Sequence, residues 1–155
     1  MSPVRDKTLR LEDVKVGDTL PELSVPLTRT VIVSTAIATR DYQDVHHDPT
    51  LAVERGSKDI FMNILSTNGF VGRYVTDWAG PAAVIRSIAI RLGAPNYPDD
   101  TMVFSGEVTD VTSPDESGKS GGTVTVALKG KNSLGNHVTG TVRVSLPSQS
   151  DNDVS

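Results

Sequence analysis

Residues 62–81 read MNILSTNGFVGRYVTDWAGP, and the architecture follows from them. Ile64, Val71, Val75 and Trp78 recur at the steps of three and four that mark one face of a helix, so Met62 to Ala79 reads as a long amphipathic helix. Ala79-Gly80-Pro81 ends it, glycine and proline being the usual helix terminators. Gly69 and Gly72 share an adjoining face. Glycine inside a helix costs up to about 1 kcal/mol relative to alanine, so something must approach the backbone there. A packed β-strand is the commoner reason, and the thin chain of a ligand is the sharper one.

Everything after Pro81 alternates as strands do. Ala82, Val84, Ile88, Ile90 and Leu92 fall on one side of a first segment, broken only by Arg86. Gly93 to Asp100 is a loop. Met102, Phe104 and Val108 mark the next strand, Val124, Val126 and Leu128 a third, and Val142, Val144 and Leu146 a fourth. Ser133-Leu134-Gly135-Asn136 makes a tight turn, and residues 113–122 form a flexible connection rich in glycine and serine. Ahead of the long helix, Pro21 and Pro26 keep the chain extended and edge-like. The β-branched run Val31-Ile32-Val33 predicts a first strand over Thr28 to Val33. Ser34 to Arg40 then reads as a short helix with a hydroxyl cap.

A helix with one wide apolar face must bury it, and a curved antiparallel sheet folded around it does so. The expected fold is α+β, the hot-dog arrangement of a sheet around a central helix. The outer face of such a sheet often remains to be covered, which favours dimerisation. The expected organisation is an N-terminal extension over 1–16, one domain over 17–147 and a disordered tail over 148–155.

With 155 residues the chain is long enough for a substantial core. It has no cysteine, so disulfides, thiolate nucleophiles and sulfur-ligated metals are excluded. No apolar run reaches the ~18 residues of a membrane span, and no secretory signal is recognisable at the start. Both point to a cytoplasmic protein without a membrane partner. The net charge of −4, with no basic stripe, argues against nucleic acid.

The chemistry is concentrated between the two helices, where Asp41-Tyr42-Gln43-Asp44-Val45-His46-His47-Asp48-Pro49 packs carboxylates and imidazoles into one connection. Imidazole and carboxylate ligands also suit zinc or non-haem iron. The chain has only three histidines, and no metal site is expected.

These residues carry a resemblance. An aspartate five positions before a histidine, followed by Asp48-Pro49 and a short helix through Ala52, resembles the MaoC-like (R)-specific enoyl-CoA hydratases and dehydratases. So does the closing hairpin of Asn132-Ser133-Leu134-Gly135 with Val138, Gly140 and Val144. More narrowly, RDYQDVHHD, GSKDIF and RYVTDWAGP are similar to the small subunit of actinobacterial heteromeric hydratases acting on steroid side-chain CoA thioesters. The resemblance implies Asp41 and His46 as the catalytic pair, the acyl-CoA itself as substrate with no further cofactor, and a larger MaoC-like subunit as partner.

The chemistry agrees with that assignment. A neutral imidazole can take a proton from water at neutral pH while a carboxylate orients both. Negative charge on the thioester oxygen is stabilised by free N–H groups at a helix start, which puts Met62 and Asn63 forward as oxyanion or substrate contacts, with Gly69 and Gly72 along the acyl chain. His47 is the alternative base if the loop turns the other way. Asp44 and Asp48 read as loop and cap carboxylates, and His137, next to a turn, as exposed. Arg86, Arg91, Lys129 and Lys131 read either as contacts to CoA phosphates or as a solvated face.

Single-subunit relatives carry His-Gly where this chain has Met62-Asn63, and Asn-Pro where it has Gln43-Asp44. The Asn63 Cβ narrows the approach a glycine leaves open. Both departures fit the heteromeric subfamily, whose pocket is shared between subunits. A hot-dog thioesterase and a non-catalytic assembly subunit are the competing readings.

Overall fold

The computed structural model describes residues 5–113 and 122–148. The middle of the expected flexible connection and residues 149–155 of the expected tail lie outside these. Ser148 is buried, and its carbonyl accepts from Arg10 Nη1 at 3.4 Å.

Strands β1 (Thr19–Leu27), β2 (Val84–Leu92), β3 (Asp100–Thr112), β4 (Thr123–Asn132) and β5 (Gly135–Ser145) form one sheet in the order β1-β3-β4-β5-β2, every pair antiparallel. Helices α1 (Arg29–Ala38), α2 (Pro49–Glu54) and α3 (Ile64–Ala79) all precede β2. The inner face of the sheet supplies Met102, Phe104, Val108, Val124, Val126, Val138, Val142 and Val144, all fully buried. Helix α3 adds Val71, Tyr74, Val75 and Trp78 to the same core, and the Tyr74 ring stacks on Phe104 at 5.4 Å. This is the hot-dog arrangement, held by apolar burial on one side of each strand.

Three local expectations need correction. Residues 28–33 are not a strand, because Thr28 Oγ1 accepts from Val31 N at 3.1 Å and caps α1. The hydroxyl-capped cap outweighs the β-branched run. The first strand lies earlier, with Leu20, Leu23, Val25 and Leu27 buried. As an edge strand it tolerates Pro21 and Pro26. On α3, Ile64 is not in the buried stripe but half-exposed at the first helical position, and Thr67 occupies the buried place one turn in. In β2 a bulge between Ile85 and Ser87 changes the alternation at Arg86. Ile85, Ile88 and Ile90 therefore pack against the core while Val84 is exposed.

The N-terminal stretch is part of the packing. Leu11 and Val14 are buried, Leu9 N donates to Ala79 O at 2.8 Å, and Leu11 N donates to Pro147 O at 3.0 Å.

The outer sheet face is mainly polar, with Ser105, Glu107, Thr125, Lys129, Thr141 and Arg143 around the half-buried Val103 and Ala127. Among the exposed large apolar side chains, Ile37 and Tyr42 lie near the end of α1, Ile64 and Leu65 at the start of α3, and Leu92 at the end of β2, while Val16, Leu51, Val53, Val84 and Leu134 lie apart in sequence. Among the described residues no helix is long and apolar enough to cross a membrane.

Candidate active site at the start of the central helix

Helix α1 closes so as to aim Asp41. Arg40 takes a left-handed conformation, φ 57°, Arg40 N donates to Ile37 O at 2.9 Å and Asp41 N to Ala36 O at 3.0 Å. This double closure satisfies carbonyls that a helix end otherwise leaves open. The reversal brings the Asp41 carboxylate over the start of α3. A 3₁₀ turn, Asp44–His46, then delivers the imidazole.

His46 Nε2 lies 3.5 Å from Asp41 Oδ2, with the imidazole side chain only 8% exposed and the carboxylate 22%. His46 Nδ1 is 2.7 Å from the carbonyl oxygen of Phe61. A carbonyl only accepts, so Nδ1 carries a proton, and in the neutral imidazole Nε2 is the nitrogen that presents a lone pair toward Asp41. The Phe61 ring meets the imidazole edge-on at 4.9 Å. Sequence reading brought this pair forward, and the fold brings it together.

Asn63 caps α3. Its Oδ1 accepts from Ser66 N at 2.9 Å and from Ser66 Oγ, while its Nδ2 donates to Asp41 Oδ2 at 2.9 Å and to Thr39 Oγ1 at 3.0 Å. The Asn63 amide, ahead of the Gln43 backbone N–H and the nearby His46, holds the Asp41 carboxyl below its ordinary pKa despite partial desolvation. From sequence Asn63 is only a backbone donor with an obstructive Cβ, and the side-chain role is a finding of the structure.

Met62 requires a correction. Its side chain is buried, and its N–H donates to Asn96 O at 3.0 Å, so it has no free donor for an oxyanion, although the residue still lines the pocket beside His46. Of the two backbone N–H groups put forward, that leaves Asn63 as the candidate oxyanion donor.

The remaining candidates separate. His47 is exposed. Asp44 pairs with Arg55 at 2.6 Å, and Asp48 Oδ1 caps α2 through Thr50 N and Leu51 N. Among the described residues no three metal-ligating side chains converge. Gly72 faces β2, where an added Cβ would meet Ile85 and Ile88 side chains at 3.6 and 3.7 Å. That is strand packing, the commoner of the two reasons for a glycine there. Gly69 opens instead on an apolar groove of about 250 Å³ lined by Thr35, Ala38, Leu65 and Phe70 among others.

His46, Phe61, Asn63, Ile64, Gly93 and His137 contribute to a pocket of about 430 Å³. His137 is not exposed as expected. It is 2% exposed, Nδ1 donating to Ala94 O at 2.7 Å and Nε2 accepting from Thr67 Oγ1 at 2.8 Å, and burial pushes its pKa down.

Residues 14–132 match the family model described as MaoC like domain. The chain belongs to the MaoC-like family. A curated relative, the 3-oxo-4,17-pregnadiene-20-carboxyl-CoA hydratase beta subunit of Mycobacterium tuberculosis, is 57% identical over 131 residues, 84% of this chain and 95% of that one. Among solved structures, this MaoC-like chain is similar to one in the ChsH1-ChsH2 complex from Mycobacterium tuberculosis, with TM-score 0.77 and 57% identity over 85% of this chain and 98% of the other. The unliganded R-hydratase PhaJ1 from Pseudomonas aeruginosa shares the hot-dog fold, with TM-score 0.78 at 17% identity, covering 92% and 88% of the two chains.

Proposed function

We propose that this chain is the small subunit of an enoyl-CoA hydratase that adds water across the 2,3 double bond of a bulky, steroid side-chain enoyl-CoA. It acts in the cytoplasm, in side-chain β-oxidation of sterols, with a larger MaoC-like subunit. No cofactor takes part, since the CoA thioester is the substrate. The observation that carries this reading is the facing pair of acceptors, His46 Nε2 and Asp41 Oδ2, 3.5 Å apart.

Two acceptors at that spacing can each take one hydrogen of a single water lying about 2.8 Å from both. Both hydrogens are then held, and the oxygen lone pairs are left toward the substrate. As the water oxygen bonds to the β-carbon, the double-bond electrons move toward the thioester oxygen and His46 Nε2 takes a water proton. With Nδ1 occupied by Phe61 O, the proton returned to the α-carbon leaves from the same Nε2. One water is consumed, and nothing is oxidised or reduced. The transient oxyanion is met by the Asn63 N–H at the positive end of α3.

The acyl chain takes the apolar groove beside Gly69. Its wall residues Thr39 and Ser66 are bonded to Asn63, so groove and dyad share a boundary. The exposed apolar side chains Ile37, Tyr42, Ile64, Leu65 and Leu92 surround this region and support a partner subunit covering it.

The test is to co-produce the chain with larger MaoC-like subunits and follow loss of the conjugated thioester absorbance with a steroid side-chain enoyl-CoA. Hydration without release of free thiol, abolished by His46→Ala, supports the reading. Thiol release would make the chain a thioesterase, and full hydration by an assembled His46→Ala complex would make it an assembly subunit.

A further inference from the structure

We infer that the Asn63 side chain is a positioning residue for the hydration, locking Asp41 in one orientation and as an acceptor while it caps the central helix. This rests on the proposed roles of Asp41 and His46. The single hydroxyl hydrogen of Thr39 is shared between Thr35 O and Ala36 O, at 3.0 and 2.9 Å. Its hydrogen being used there, Thr39 Oγ1 can only accept from Asn63. On the other side Ser66 N can only donate, and it meets Asn63 Oδ1 at 2.9 Å. These two constraints fix which end of the amide is nitrogen. The second amide hydrogen is thereby aimed at Asp41 Oδ2, at 2.9 Å.

Asp41 Oδ2 is also the oxygen nearest His46 Nε2. Asn63 therefore occupies one acceptor direction of that oxygen and leaves another for water. The donor is itself held by Thr39 at the end of α1 and Ser66 in α3, so the carboxylate is referenced to two helices. The amide nitrogen that faces Asp41 offers hydrogens only, which favours the ionised carboxylate over its acid. Around Asp41 the facing titratable group is His46 on the 3₁₀ turn. The other groups bonded to its carboxylate are the Asn63 amide at the start of α3 and the Gln43 backbone N–H in its own loop, neither of which titrates. A glycine at position 63 would supply none of these contacts. What looks like an obstruction of the helix start is a support for the acid.

The experiment uses the complex with the larger subunit and two variants, Asn63→Thr and Asn63→Asp, each retaining an oxygen able to cap α3. Asp41 is followed by its carboxyl carbon resonance, with aspartate labelled in this chain alone and the signal identified by its loss in Asp41→Asn. The expected result is that Asp41 titrates at higher pH in both variants, most in Asn63→Asp, and that the acid limb of kcat moves the same way. In Asn63→Thr, kcat falls roughly tenfold with KM little changed. Unchanged Asp41 titration in a capped, assembled variant overturns the inference. The titration needs no substrate, so a complex that fails to hydrate refutes the proposed function and leaves the result on Asn63 readable. Should Asn63→Thr fail to assemble, Asn63→Asp decides alone.

Discussion

Thr67 Oγ1 and His137 Nε2 lie 2.8 Å apart inside the core, joining the second turn of α3 to β5 through a neutral imidazole. Burial holds the His137 pKa below its ordinary value. In the unfolded chain the same residue protonates near pH ~6.5. Below that value the unfolded state binds more protons than the folded one, so stability falls as pH drops through the window between the two pKa values. Urea midpoints measured from about pH 8 to pH 5 should decline toward acid, and the decline should be shallower in His137→Gln. Equal slopes would show that His137 is not the group responsible.

Why His137 was misread from sequence, while other residues were not, has a physical basis. The alternation of β3, β4 and β5 and the stripe of α3 were legible because each buries one face, and burial writes its period into the chain. The Asp41 and His46 pair came forward through the resemblance to the MaoC-like motif, since carboxylates and imidazoles in one loop do not alone single out two of them. His137 follows a tight turn, where exposure is the ordinary expectation, but the loop at Ala94 folds over it and supplies an acceptor. The same limitation applies to α1, where a single Thr28 hydroxyl decided helix against strand. Asn63 was legible only as a departure from glycine, since its partners Thr39 and Asp41 are set by how α1 ends.

The facing acceptors predict a clear kinetic pattern. Asp41→Asn preserves shape but puts an amide where a carboxylate accepted, and His46→Gln removes the proton-accepting nitrogen. Each should lower kcat by roughly 10²–10⁴ with far smaller effects on KM. Both residues being partly or wholly shielded, thermal melting of the assembled complex must be recorded alongside. A fall in kcat that tracks loss of folded protein would point to a structural role instead.

Gly80 predicts a purely structural loss. It ends α3 at φ 98°, and an added Cβ would lie 2.5 Å from the Thr8 Cα. Backbone strain and a clash with backbone combine there, so Gly80→Ala should cost about 2–4 kcal/mol. The N-terminal segment, tied to α3 by Leu9 N to Ala79 O, should be the first region to lose protection in hydrogen exchange. A denaturation midpoint equal to wild type would contradict this packing.

Gly69 makes the opposite prediction, because nothing lies within 4 Å of an added Cβ. Gly69→Leu should leave the fold intact and strengthen the isolated helix by up to about 1 kcal/mol. Its side chain would enter the apolar groove beside Thr35, Ala38 and Phe70. If that groove takes the acyl chain, KM for a steroid side-chain enoyl-CoA should rise roughly tenfold, since a filled hydrophobic site forfeits the burial that bound the substrate. A short-chain enoyl-CoA, which does not reach the groove, should be hydrated at the wild-type rate. The contrast between the two substrates separates blocked binding from a disturbed dyad, which would slow both. Unchanged kinetics with both would send the acyl chain elsewhere and leave Gly69 as a helix residue without a ligand.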